Sequence, residues 1–177
     1  HVAVTPAHVG DSGALVPALQ QTAGRGCGAQ DVTADSAFGS DDNQQAAAAL
    51  GVALVAPTAG GDDARNGSLG IKDFTCDEAT LTIKACPRGQ AAIQTETTRT
   101  ERKVTVFDRD TCAACPDRER CPVKVTATRA CIYYEDPQIR LALRRKYEAT
   151  DAFRDRYRWR AGIEGTNSGT KRRTGLG

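Results

Sequence analysis

Residues 31–56 read DVTADSAFGSDDNQQAAAALGVALVA, and this stretch decides the fold. Asp31 to Ala34 reads as a short strand that delivers Asp35 to its C-terminal end. A small turn containing Gly39 follows, and Ser40 to Asp42 then open a helix, Asn43 to Leu50, that Gly51 stops. Val52 to Ala56 is apolar and returns as a second, buried strand. Strand, helix and strand in that order imply parallel pairing and an α/β layer. A carboxylate at the C-terminal end of such a strand stands where open α/β sheets place their chemistry.

Upstream, His1 to Thr5 reads as a further strand, followed by a loop with Pro6 and Gly10. Asp11 or Ser12 is expected to cap a helix that turns Leu15, Val16, Ala18 and Leu19 inward and ends at Gly24. Downstream, residues 58–70 are rich in Gly, Asp and Asn and read as a linker. Thr80–Ala85, Ala92–Thr98 and Lys103–Phe107 are short Thr- and Val-dense stretches, expected as strands of a small antiparallel insertion. Pro137 marks a boundary. Gln138 to Arg158 is one long helix or two joined near Thr150, with Asp151 as cap of the second. The chain thus divides into 1–57, an α/β core; 58–137, a linker and cysteine-containing insertion; and 138–177, C-terminal helices.

Those helices carry a second chemical signal. Tyr157, Arg160, Glu164 and Lys171 recur as Y-x2-R-x3-E-x6-K. A helix turns about 100° per residue, so steps of three, four and seven return to nearly one face. One carboxylate then lies in a row with a phenol and two cations, which suits a metal ion held beside a phosphate backbone. An exposed helix with i,i+4 charge pairs produces the same spacing. Gly162, Gly165 and Gly169 weaken the helix by up to about 1 kcal/mol each relative to Ala. The charge is also uneven: three basic against eight acidic side chains over residues 1–75, and eleven against four over 138–173. Cations beside carboxylates suit a DNA-handling surface, although a solvated helix face looks alike.

Seven cysteines make an odd number, and their close spacing points to metal ligation rather than a secreted disulfide frame. Cys112 and Cys115 form a C-x2-C pair, Cys121 follows, and Cys86 precedes them in CPRG. Four thiolates in a tetrahedron suit Zn2+, with Cys76 or Cys131 as substitutes; reduced structural cysteines, or a redox-labile cluster without metal, are the alternatives. Cys27 has no evident partner, and His8 reads as a solvent-exposed side chain. No apolar run is long enough to span a bilayer, and no export signal is visible.

The stretch YRWRAGIEGTNSGTKRRTGLG, residues 157–177, is similar to the C-terminal signature of the DDE transposases of bacterial insertion sequences. DVTADSAFGSDDN resembles the surroundings of that family's second catalytic aspartate. GVALVAPTAG and CAACPDRERC resemble the branch with an extra segment before the catalytic Glu, so the likeness covers nearly the whole chain. It implies a partial RNase H-like fold in which Asp35 and Glu164 are catalytic and hold Mg2+ or Mn2+. It implies DNA contacts by Tyr157, Arg160, Lys171, Arg172 and Arg173, and cleavage and strand transfer at transposon ends and target by an oligomer. A bacterial cytoplasmic, nucleoid-associated location follows from the same likeness. The family's first catalytic Asp is expected upstream of residue 1, which would make the chain a fragment. Two alternatives stay open: an inactive remnant that only binds DNA, and a zinc-stabilised nucleic-acid-binding module.

Overall fold

The computed structural model describes residues 11–58 and 67–174; the side chains of Asp11, Ala161, residues 163–172 and Thr174 lie outside that description. The strand expected at His1–Thr5, His8 and most of the linker fall among the residues not described. Helices and strands are mixed, as an α/β reading requires. The chain forms two compact units, residues 1–59 with 147–177, and residues 60–146.

In the first unit, β1 (Asp31–Thr33) pairs in parallel with β2 (Ala53–Val55), with Val32 opposite Leu54. Between them runs α2 (Asp41–Ala49), so the three elements make one βαβ crossover. Ser40 starts that helix by accepting from the Asn43 amide at 3.2 Å, and Gly51 ends it at φ +72°, a left-handed turn that a side chain would strain. Gln44 Nε2 donates to the Leu54 carbonyl at 3.0 Å and ties α2 to β2. The core is small: Leu15 and Leu19 of α1 (Leu15–Gly24) pack with Ala34, Ala47, Val52, Leu54 and Ala56.

Asp11 and Ser12 do not cap α1. They lie in a 3-10 turn, Asp11–Ala14, and the N-cap position falls on Ala14 with no side-chain bond. Pro17 is the third residue of the helix and has no N–H, which removes one of the donors that a cap would satisfy.

The second unit is antiparallel. A hairpin joins β3 (Thr75–Asp77) and β4 (Thr82–Ala85), and a four-stranded sheet follows the order β5 (Gln94–Thr97), β6 (Lys103–Phe107), β8 (Ala130–Tyr134), β7 (Lys124–Val125). The strands expected over 80–107 are present, but the inner strand β8 was not anticipated. Its run ACIYY is buried at nearly every position, so it lacks the alternation that marks a half-exposed strand. Phe74, Ile83, Phe107, Val123, Ile132, Tyr134 and Ile139 form the core. Within it, the Tyr134 hydroxyl accepts from the Ile83 amide at 3.1 Å and pairs with Thr105 Oγ1 at 2.8 Å, so its polar atom is satisfied.

The C-terminal segment is two helices, α4 (Asp136–Glu148) and α5 (Asp151–Thr174). The break falls at Thr150 as expected, but Thr150 rather than Asp151 supplies the cap: its Oγ1 accepts from the Phe153 amide at 3.3 Å, while Asp151 faces Arg154 at 2.8 Å. Pro137 lies within the first turn of α4, where a missing N–H costs no helical bond.

Candidate functional site

Asp35 lies two residues beyond the end of β1 and opens a 3-10 turn, Ser36–Phe38, whose Ala37 amide donates to its Oδ1 at 3.0 Å. That bond fixes the carboxylate at the strand's C-terminal end. The Asn43 side chain steadies the same loop by donating to the Phe38 carbonyl at 3.2 Å and the Ser12 carbonyl at 3.1 Å.

Facing this loop is α5. Arg160 Nη2 stands 3.5 Å from Asp35 Oδ2, although the two residues lie 125 apart in the chain. The Asp35 side chain is 45 % exposed and that of Arg160 27 %, so the pair is wet and worth under about 1 kcal/mol by itself. One turn earlier, Arg156 Nη2 stands 3.8 Å from Asp31 Oδ2 at the start of β1. The second pair was not read from the sequence. Its signal was the i,i+4 spacing of Arg156 and Arg160, which puts both guanidiniums on one helix face.

The two pairs, with α5 packed against β1 and β2, bring the C-terminal signature to the end of the strand. Arg160, which the resemblance assigns to DNA, contacts Asp35. Glu164 lies one helical turn beyond Arg160, about 6 Å along the axis. Lys171 and Arg172 continue on the same helix, and Arg173 is exposed. Tyr157 stacks on Phe153 with ring centroids 5.5 Å apart, and Phe153 meets Tyr147 edge-on at 5.6 Å. Tyr157 thus supports the helix.

Asp35 fits a hard divalent cation: it is an exposed carboxylate with a free side towards solvent, anchored through one oxygen. Arg160 competes for the other oxygen. Among the described residues no three His, Cys, Asp or Glu side chains stand together at metal-ligand geometry.

The four predicted thiols nevertheless converge. Cys86, Cys112, Cys115 and Cys121 line one cavity of about 290 Å³ in the second unit, and all are free. Burial, then the neighbouring Cys121, Cys86 and Cys115 sulfurs, push the Cys112 thiol up to about 11. Burial also raises Cys121. The named substitutes are elsewhere: Cys131 is buried in β8, and Cys76 Sγ lies 3.9 Å from the Ile71 carbonyl.

A mixed α/β unit thus holds an aspartate at a strand end, faced by arginines of a basic helix. A family model described as a transposase DDE domain matches residues 85–177, which include Glu164, the basic positions and the four convergent cysteines. The chain belongs to the transposase DDE domain family. No curated protein and no solved structure matches it. No helix among the described residues is long and apolar enough to cross a membrane.

Proposed function

We propose that this chain forms part of an RNase H-like catalytic core that cuts and joins DNA strands during transposition, using Mg2+ or Mn2+. The observation that carries the reading is the contact between Arg160 and Asp35, which brings the helix bearing Glu164 to the carboxylate after β1. The parallel β1–α2–β2 crossover is the kind of layer such a core uses. We assign the first unit, residues 1–59 and 147–177, to this core and the second, residues 60–146, to an insertion.

In this reading Asp35 and Glu164 are the carboxylates that hold the divalent ions. When bound, such ions make a water or a 3′-hydroxyl a stronger nucleophile and stabilise the leaving oxygen of an in-line displacement at phosphorus. The protein's own work is positional. The Ala37 amide keeps Asp35 oriented, and Arg160 holds the helix against the strand end and balances the carboxylate charge between turnovers. Lys171, Arg172 and Arg173 neutralise backbone phosphates of the transposon end, with counterion release supplying salt-sensitive affinity. The active form is an oligomer on paired DNA ends.

The test is strand cleavage on transposon-end DNA by the full-length protein. Asp35→Asn and Glu164→Gln are each expected to lower cleavage at least a hundredfold while leaving DNA binding intact. Cleavage that survives either change overturns the assignment of that residue.

A further inference from the structure

We propose that Cys86, Cys112, Cys115 and Cys121 together bind one Zn2+ ion in the second unit, at a site separate from the carboxylates of the proposed DNA chemistry. Three pieces of backbone bring these thiols to one cavity. Cys86 opens a tight turn in which the Gly89 amide donates to the Cys86 carbonyl at 2.9 Å, and the Cys86 amide to the Gln90 carbonyl at 2.9 Å. Gly89 sits at φ +81°, so the turn requires glycine. Cys112 lies in α3 (Arg109–Ala113), whose start Asp108 caps by accepting from the Thr111 amide at 2.8 Å; Cys115 follows one turn later. Cys121 succeeds a 3-10 turn, Arg118–Arg120. A turn, a short helix and a second turn thus bring four soft ligands to the lining of one cavity, where no three of them yet stand at metal-ligand geometry.

The surroundings suit the charge. Four thiolates around Zn2+ carry a net charge of −2, and the guanidiniums of Arg88 and Arg118 line the same cavity. Asp117 pairs with Arg88 at 2.5 Å and fixes its place. Cys112 Sγ donates to Gln90 Oε1 at 3.5 Å. Zinc binding replaces that contact, draws the sulfurs to about 2.3 Å from the ion, and releases the thiol protons to solvent. The four residues span 86–121, so the ion would tie the turn at Cys86 to the segment that follows β6.

The test is a Co2+ titration of the full chain, reduced and stripped of metal, read by the thiolate-to-cobalt charge-transfer band. The expected result is a band that saturates at one equivalent and is bleached by one equivalent of Zn2+. Cys115→Ser and Cys121→Ser are each expected to weaken Co2+ binding at least tenfold, whereas Cys27→Ser and Asp35→Asn leave the titration unchanged. Because Asp35→Asn removes a proposed catalytic ligand, its titration separates this site from the DNA chemistry. Absence of the band in the unsubstituted chain overturns the proposal whatever the variants do. So does a band that survives both Cys115→Ser and Cys121→Ser.

Discussion

Gly162 is two residues before Glu164 in α5, and Gly162→Ala tests whether the helix there is held by its own propensity or by its surroundings. A Cβ built on Gly162 meets no atom within 4 Å, and the residue is exposed, so the substitution adds no clash and buries nothing. What remains is the backbone term. Glycine in a helix interior is about 0.8–1.0 kcal/mol less favourable than alanine. A gain of about 0.8 kcal/mol makes local opening about fourfold rarer, since about 1.4 kcal/mol is a factor of ten. Amide hydrogen exchange of residues 160–166 reads this directly, because opening of α5 need not involve the rest of the chain. Exchange there is expected to slow about fourfold, with no change in β5, β6 or β8. Unchanged or faster exchange would refute the helical placement of the turn that carries Glu164.

Three further outcomes follow from the structure. Ser40→Ala removes the oxygen that accepts from the Asn43 amide, and the first unit is expected to lose about 1 kcal/mol in denaturant unfolding; a loss below about 0.3 kcal/mol would mean the cap is not formed. Tyr134→Phe leaves the Ile83 amide without its acceptor and takes one partner from Thr105, which keeps Thr95 Oγ1 at 2.7 Å, so about 2 kcal/mol is expected from the second unit and a neutral result would refute the buried contact. Acid should also weaken the second unit. The Arg88 hydrogen bond lowers Asp117 below the ordinary 3.8, and bonds from Thr111 and Thr80 lower Asp108 and Asp77 likewise. A carboxyl with a depressed folded pKa contributes stability that is complete above its unfolded value and is lost as pH falls through the folded one. Thermal melting is therefore expected to hold from pH 7 to about 5 and to fall below pH 3.8, less steeply in Asp117→Asn. Higher stability at pH 3 than at pH 6 would contradict it.

Local rules carried much of the fold. Ser40 and Gly51 bracket α2 because a hydroxyl at a helix start and a left-handed glycine at its end act through adjacent backbone. β1 and β2 were legible because a βαβ crossover leaves an apolar strand on each side of a helix pattern. The failures are where distant contacts decide. β8 is set by burial between β6 and β7, which its run of apolar residues does not announce. Capping near Thr150 depends on which of two adjacent polar residues takes the extended geometry, and either satisfies the pattern. At the site, the resemblance marked Arg160 as a DNA contact, and nothing in the spacing announced Asp35 as its partner. Only the packing of α5 on β1 supplies Asp35 as the partner and reveals Arg156 on Asp31. The spacing singled out Cys86, Cys112, Cys115 and Cys121, but that all four line one cavity is set by a turn, a short helix and a second turn.

The most direct measurement of the central claim is a metal-switch experiment on strand cleavage with Asp35→Cys and Glu164→Cys in the full-length protein. Thiolate is a poor ligand for hard Mg2+ and a better one for softer Mn2+. The account predicts that each variant is inactive with Mg2+ and regains measurable cleavage with Mn2+, while the unsubstituted protein uses both. If both variants stay inactive with either ion while DNA binding is preserved, or if either cleaves normally with Mg2+, then Asp35 and Glu164 do not hold the metal.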